Sequence, residues 1–430
     1  MYKKSIYNII KKENDKIYLY NSFSKAKIVV KKENFLDEMI REINSGNDDF
    51  IEYKKFLEKN NFIVEEGRDE IASLNYLFNK RFFSNYIKSI ILVPTLNCNF
   101  GCHYCFEKEL TDGFKTSENY YNALKNNIIS DKNKFKHLNL SLFGGEPFLH
   151  KKQLFDFLDF IKINSNEEKY TFDVSVTTNG SLLNEEDIEK LIDYNCRFLQ
   201  ITLDGSREQH NITRAFKNGK PSFDILVDII NMIARKIDGI EKFVFALRIN
   251  LLNNTLDEVS KILDLFDEKY RKNINVMIRT VYNTELFTES NSNENSNLDE
   301  FNKLAVSKGY RISVNERLFI YCEACCDVSS FHLLPDLSVW KCVSDLKCTG
   351  PKIGYMNEDG SISYNADAVI NWYKAVDFTK NKKCIGCPNA PDCLGGCPLY
   401  YYKVGERRCE DRSVITNTYQ YSCLGKNNDK

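Results

Sequence analysis

The sequence predicts an α/β fold: a partial (β/α)6 barrel, with a winged-helix-like module before it and a Cys-rich domain behind it. Three observations carry that expectation. Between Ile90 and about Lys308, apolar β-branched runs alternate with longer amphipathic segments. Polar, glycine-bearing motifs recur at the carboxyl ends of those runs. Beyond about Arg311 the chain becomes Cys-dense, with 11 of its 15 cysteines between Cys322 and Cys423.

Taken in order, residues 1–85 hold a hairpin pattern, Lys16–Tyr20 and Ala26–Val30 around Asn21-Ser22. Helical spacing follows at Phe35–Ile43 and Phe50–Lys59, then a short apolar run at Phe62–Val64 and another helix over Glu70–Phe82. Residues 86–310 carry the six runs expected as strands: Ile90–Thr95, Leu138–Phe143, Phe172–Val176, Phe198–Leu203, Phe243–Asn250 and Ile274–Thr280. The segments between them place apolar residues on one helical stripe, as in Leu154-Phe157-Leu158-Ile161. Strand–helix units in succession imply parallel strands joined by crossovers. Six are too few to close an eight-stranded barrel, so a splayed, partial one is expected. The polar stretch 281–298 reads as a mobile loop, and residues 311–430 form the Cys-rich domain.

With 430 residues, 43% hydrophobic and 28% charged, the chain is an ordinary globular one of more than one domain. Its 59 basic and 60 acidic residues leave a net charge of −1, which provides no general electrostatic attraction to nucleic acid. No window approaches eighteen uninterrupted apolar residues, so no membrane span is expected, and Met1–Tyr18 has no signal-peptide pattern. Fifteen cysteines without an export signal point to a reducing, cytoplasmic setting, where thiols serve as metal ligands rather than disulfides.

The chemistry begins at Cys98-Asn99-Phe100-Gly101-Cys102-His103-Tyr104-Cys105. Three thiolates in so tight a loop fall one short of the four that an iron–sulfur cube takes. One iron is thereby left open to a ligand that is not protein. Zinc is the alternative, with His103 as fourth ligand. The loop follows the first expected strand, Gly144-Gly145-Glu146-Pro147 the second, Thr177-Thr178-Asn179-Gly180 the third and Asp204-Gly205 the fourth; Arg248 and Asn250 end the fifth. All converge on the carboxyl rim, where barrels build active sites.

Cys98-x3-Cys102-x2-Cys105, with these rim motifs, resembles the radical S-adenosylmethionine (radical SAM) superfamily over about residues 88–285. The resemblance implies a 4Fe–4S cluster held by Cys98, Cys102 and Cys105, with S-adenosylmethionine chelated to the open iron. It implies reductive cleavage to a 5′-deoxyadenosyl radical that abstracts hydrogen from a substrate, fed by a reducing partner such as flavodoxin or ferredoxin. On this resemblance the cofactor-contacting residues are Tyr104, Gly144, Gly145, Glu146, Asn179, Thr202, Asp204 and Arg248. Tyr104 takes the aromatic position near adenine, the glycines let backbone approach a ligand closely, and Glu146 holds the methionine amino group. Packing for Tyr104 and strand-end capping for the polar residues stand as the alternatives. Arg214 is read as a cofactor or substrate contact, or a surface charge.

Cys384-x2-Cys387-x5-Cys393-x3-Cys397, then Cys409, resembles the SPASM domain, which carries auxiliary iron–sulfur clusters. Leu334–Cys342 resembles that domain's hairpin ending in a ligand, with Leu337 where the family usually has Gly. The resemblance implies two auxiliary 4Fe–4S clusters and three clusters in all. Cys322, Cys326, Cys342 and Cys397 are assigned to the first, and Cys384, Cys387, Cys393 and Cys409 to the second. Cys325 and Cys348 remain alternatives upstream, and Cys423 an alternative to Cys409; Cys196 reads as a packed core thiol.

SPASM-bearing relatives modify peptides, so the expected activity is that of an oxidoreductase maturing a ribosomally made precursor peptide by thioether formation, in an anaerobic host. Carbon–carbon crosslinking, formylglycine formation by an anaerobic sulfatase maturase, and a non-catalytic zinc protein are the alternatives. The sulfatase type carries Cys-Asp at the position of Cys342, but here Val343 follows. The N-terminal module resembles a leader-peptide recognition element, in which a substrate segment extends a sheet edge; a structural cap on the barrel is the alternative.

Overall fold

The structure is a computed structural model. It describes residues 1–13, 16–105, 107, 114–251, 254–280, 294–312, 327–342, 351–407 and 409. The chain divides into two compact units. One gathers Met1–Ser84, Asn315–Val328 and Ile370–Lys430; the other holds Asn85–Val314 and Ser329–Val369. The first thus groups segments that the serial division 1–85, 86–310 and 311–430 keeps apart.

In the first unit, β1 (Tyr2–Lys4) precedes an antiparallel meander of β2 (Asn8–Glu13), β3 (Lys16–Asn21) and β4 (Lys27–Val30). Helices α1 (Phe35–Asn44) and α2 (Ile51–Lys59) follow, then β5 (Ile63–Glu65), which pairs with β1, and α3 (Glu70–Phe82). The expected hairpin and helices are present within a residue or two. The first two strands escape the sequence reading because Tyr2–Glu13 is dense in lysine and has no clean alternation. Leu19, Leu36, Leu57, Phe62 and Ile63 form this segment's small core, each worth about 2 kcal/mol when buried.

The second unit is organised by an eleven-stranded sheet. Six of its strands are those expected: β6 (Ile87–Leu92), β7 (His137–Leu142), β8 (Thr171–Thr177), β9 (Cys196–Asp204), β10 (Val244–Leu251) and β11 (Ile274–Thr280), all parallel in that order. β12 (Arg311–Ile312) lies parallel beside β11. Beyond β6 come β13 (Phe331–Leu333), parallel to it, and the antiparallel β14 (Ser338–Trp340), β15 (Lys352–Met356) and β16 (Ile362–Tyr364). The mixed sheet with its parallel centre is the predicted partial-barrel class.

β6 begins and ends three residues before its expected span. Pro94 has no N–H to pair, so after Val93, whose N–H still reaches Leu333 O at 2.9 Å, the chain leaves the sheet and starts the cysteine loop. Residues 281–293 of the expected mobile loop lie outside the described residues, whereas 294–298 open helix α10 (Glu294–Ser307) rather than loop.

Parallel strands are usually apolar on both faces because helices cover both. Here β7 and β8 alternate. Leu138, Leu140, Leu142, Phe172, Val174 and Val176 are buried, whereas Asn139, Ser141, Asp173, Ser175 and Thr177 are half-buried. The apolar face packs under α4 (Tyr120–Asp131), α5 (Lys151–Glu168), α6 (Glu185–Asp193), α8 (Phe223–Lys236) and α9 (Leu256–Leu263), with the short α7 (Arg207–Thr213) after β9. The polar face links to itself, Ser141 Oγ to Ser175 Oγ at 2.7 Å and Asn139 Nδ2 to Ser89 Oγ at 3.2 Å. One polar and one apolar face is what a sheet curved around a polar interior requires.

Helix α11 (Ala366–Val376) leads back to the first unit, which ends with α12 (Ala390–Cys393) and α13 (Pro398–Val404). There Phe78 meets Phe378 edge-on at 5.1 Å. Asp392, fully buried, accepts from Tyr20 Oη at 3.0 Å and pairs with Lys25. Among the described residues no helix is long and apolar enough to cross a membrane.

Candidate active site

The turn after β7 fixes the root of the cysteine loop. Gly144 has φ +115°, and a Cβ there would lie 2.6 Å from Thr95 O; a Cβ on Gly145 would strike the Asn97 carbonyl. With no side chains in the way, Gly145 N donates to Thr95 O at 3.1 Å and Glu146 N to Asn97 O at 2.8 Å. The close approach these glycines permit is therefore to the backbone entering Cys98. The loop's far side is held by the segment after α7: Gly101 N donates to Ala215 O (2.8 Å), His103 N to Thr213 O (3.1 Å), and Lys217 N to Asn99 O (2.9 Å). Phe100 packs edge-on against Phe216 at 4.8 Å.

Glu146 is fully buried, and its carboxylate organises the ends of β7 and β8. It accepts from Phe148 N at 3.0 Å, from Asn179 N at 2.8 Å and from Thr178 Oγ1 at 2.8 and 2.9 Å to its two oxygens. Burial pushes its pKa up and these donors oppose the shift. Asn179, so oriented, donates to Cys98 Sγ (3.5 Å) and Asn99 Oδ1 (2.7 Å), and its Oδ1 accepts from Ser181 Oγ (2.7 Å).

A second network holds Tyr104. Its hydroxyl donates to Asp204 Oδ2 at 2.6 Å and accepts from Arg214 NH1 at 3.0 Å. Asn250 Nδ2 donates to Asp204 Oδ1 at 3.0 Å, Thr213 Oγ1 to Asp204 Oδ2 at 2.9 Å, and Arg248 Nε to Asn250 Oδ1 at 2.8 Å. Burial, then Asp204 against the opposing Arg214, pushes the Tyr104 hydroxyl pKa well up. Behind them His210 Nδ1 accepts from Asp204 N at 3.1 Å. Its Nε2–H reaches Ser222 Oγ at 3.1 Å, since Ser222 Oγ itself donates to Arg214 O at 2.7 Å. Thr202 sits two residues before Asp204, directly across from Arg248.

The structure thus brings Cys98, Glu146 and Asn179 together, and Tyr104, Asp204 and Arg248 through Asn250. Thr178, Asn99, Thr213 and His210 were not singled out in the sequence. Thr178 lies inside the Thr-Thr-Asn-Gly motif and Asn99 inside the cysteine motif, the signals that could have found them; Thr213 and His210 carry no motif of their own.

The donor set fits an iron–sulfur cluster. Cys98, Cys102 and Cys105 are half-buried and form no disulfide. Burial pushes the Cys98 thiol up to about 11 and the Cys102 thiol up as well, and each thiol adds like-charge repulsion to the next along the loop. Such thiols ionise only against a cationic centre. Beside them Arg214 Nε is buried with no hydrogen-bond partner among the described residues, a spare donor suited to a ligand carboxylate.

In the first unit, Cys384, Cys387, Cys393 and Cys409 also form no disulfide. Tight turns wind their loop: Cys387 N donates to Cys384 O at 3.1 Å, Gly396 N to Cys393 O at 2.9 Å. Burial pushes the Cys384 thiol up, Arg407 opposes, and Cys409 and Cys387 add repulsion, so these groups share one neighbourhood. Cys397 caps α13, Cys342 is buried just past β14, and Cys196 is a buried core thiol. Cys322, Cys325, Cys326, Cys348 and Cys423 lie outside the described residues. Among the described residues no three His, Cys, Asp or Glu side chains close on one point as the ligands of a single ion do. A cube holds its thiolates at separate corners.

Leu337 occupies the hairpin position where the SPASM resemblance expects Gly, and its φ is +65°. The left-handed turn is kept with a leucine in it.

The sequence pattern of the Radical SAM superfamily matches residues 92–266. The radical SAM cyclopropyl synthase TigE of Paramaledivibacter caminithermalis is 28% identical over 265 residues, 53% of this chain and 54% of TigE. A cysteine-type anaerobic sulfatase-maturating enzyme of Clostridium perfringens is 25% identical over 190 residues, 42% of this chain and 49% of the enzyme. The chain spans about half the length of these curated relatives. Among solved structures, anSMEcpe with bound AdoMet superposes with a TM-score of 0.56 at 20% identity, covering 78% of this chain and 95% of that one. Streptococcus suis SuiB bound to its precursor peptide SuiA superposes with a TM-score of 0.50 at 14% identity, covering 96% of this chain and 100% of SuiB. These likenesses establish a shared partial-barrel fold. Residues 92–266 match the Radical SAM superfamily pattern, and the maturase relatives and the rim geometry agree with that match.

Proposed function

We propose that this enzyme binds a 4Fe–4S cluster through Cys98, Cys102 and Cys105, cleaves S-adenosylmethionine reductively, and installs a thioether crosslink in a ribosomally made peptide. The observation that carries the reading is the clustering of three thiols at the carboxyl rim, in a loop held by Asn179 on one side and the Thr213–Lys217 segment on the other. Cluster and S-adenosylmethionine together supply a one-electron cleavage whose 5′-deoxyadenosyl product abstracts hydrogen. The chain's own residues do the rest. Glu146 fixes Asn179 beside Cys98; Asp204, Asn250 and Arg214 fix the Tyr104 ring in the loop; Arg214 keeps a spare donor for a carboxylate. Thr202 and Arg248 line the same strand ends. Replacing Cys98, Cys102 and Cys105 by Ala is the test: release of 5′-deoxyadenosine by the triple variant under reducing conditions would refute the assignment.

SuiB's fold with its precursor peptide supports a peptide substrate. Residues 1–85 are proposed to bind the leader along β4, an edge of the β2–β3–β4 meander. Asn21 N donates to Ala26 O, so alternation leaves the Val29 N–H, opposite Tyr18, on the open side. Val29→Pro removes that donor without breaking the meander and should weaken leader binding; undiminished affinity refutes the docking edge. Two auxiliary clusters, a flavodoxin- or ferredoxin-type reductant and a reducing compartment complete the proposal. Likeness to the cysteine-type sulfatase-maturating enzymes supports a second reading, formylglycine formation on a protein cysteine; assay of a cysteine-type sulfatase peptide separates the two.

A further inference from the structure

In the loop Cys384–Cys409 the Arg407 guanidinium is set against the backbone of the thiol turns. Arg407 NH1 donates to Gly395 O at 3.2 Å, and its guanidinium lies 4.6 Å from the centroid of the Tyr401 ring. Gly395 has φ +84°, and a Cβ there would strike Phe378 Cβ and lie 2.9 Å from Arg407 NH1, so a glycine leaves room for both against this loop. Its Nε is buried and has no hydrogen-bond partner among the described residues. The charge-bearing groups it feels are Cys384, Tyr401, Asp377 and Cys393, two of them thiols of the proposed centre. A buried N–H without an acceptor is destabilising, a cost recovered if the loaded centre presents one.

We propose that Arg407 is the potential-setting cation of the centre formed by Cys384, Cys387, Cys393 and Cys409, offering it the spare Nε–H and a fixed positive charge. The inference rests on the reading of this loop as an auxiliary-cluster site. Accepting an electron makes a four-thiolate cluster more negative by one charge. A cation held nearby stabilises the reduced form more than the oxidised one, and hydrogen bonds to the cluster sulfurs act in the same direction. Arg407 therefore raises the centre's reduction potential and makes it the better electron acceptor. Tyr401 and Gly395 keep the guanidinium in place when the charge changes.

The test uses the full chain with Cys98→Ala, Cys102→Ala and Cys105→Ala, reconstituted anaerobically and titrated potentiometrically by EPR. The signal lost on Cys384→Ala identifies the centre. Arg407→Gln should shift its midpoint to lower potential at unchanged iron content, and Arg407→Lys should fall between Gln and the parent. A Gln midpoint equal to the parent's at equal iron overturns the proposal. If Arg407→Gln fails to hold iron, the Lys variant decides, since an ammonium cannot reproduce the planar donor; an unshifted Lys midpoint overturns it. A parent triple variant that binds no iron sinks the auxiliary-cluster reading itself and Arg407's role with it.

Discussion

Lys25→Met should destabilise the first unit far more than Asp392→Asn, although both break the same ion pair. The Asp392 side chain is fully buried, whereas that of Lys25 is 36% exposed. Removing the cation strands a carboxylate out of reach of water, a loss of about 3–5 kcal/mol for a buried pair broken on one side. Asp392→Asn keeps an acceptor for the Tyr20 hydroxyl. It leaves the ammonium its bonds to Ser22 O at 2.6 Å and Pro391 O at 3.4 Å, together with its share of solvent. That loss is about 1 kcal/mol, the worth of one charge-assisted bond near the surface. The double variant strands nothing and should be more stable than Lys25→Met alone. Urea unfolding of the reconstituted full chain reads this directly, because Trp372 is buried in the first unit and Trp340→Phe removes the other tryptophan. Equal losses for the two single variants, or a double variant that sums them, would refute the argument from unequal desolvation.

The network behind Tyr104 should be acid-labile. Burial holds the His210 pKa down at about 3, below the 6.5 of an unfolded histidine. The unfolded chain therefore takes up a proton that the folded one refuses, and this contribution to stability, complete above pH 6.5, falls by about 1.4 kcal/mol per unit as pH drops toward 3. His210→Gln should flatten that slope in pH-dependent unfolding; an unchanged slope refutes the role. Leu337→Gly removes a left-handed leucine worth about 1–2 kcal/mol of strain, yet forfeits a buried side chain worth about 2–3 kcal/mol. A net loss of about 1 kcal/mol is expected in thermal unfolding, and a gain would show that backbone strain dominates. Gly145→Ala drives a Cβ into the Asn97 carbonyl and should lower the iron held by Cys98, Cys102 and Cys105, read as iron per chain against wild type.

Much of this molecule is legible from spacing. The six central strands announce themselves because each must bury a face, and alternation in His137–Leu142 or Thr171–Thr177 cannot be read otherwise. The cysteine loop is legible because packing alone does not call for three thiols within eight residues. β1 and β2 were not, since their lysines hide the alternation. Nor was the start of α10, where an asparagine-rich helix looks like loop until Phe301 and Ala305 are seen packed in the core.

By itself the sequence determined which residues supply thiols, which strand ends carry polar groups, and in what order they arrive. Local spacing and burial periodicity suffice for that. Only the tertiary structure decided what those residues hold. It turned Gly144 and Gly145 into the footing of the cysteine loop, and set Glu146 to position Asn179. It also laid Arg407 against a thiol loop and buried Asp392 against Lys25. These depend on contacts between residues far apart in the chain, and such a contact leaves no mark on either segment until the fold brings them within hydrogen-bonding distance.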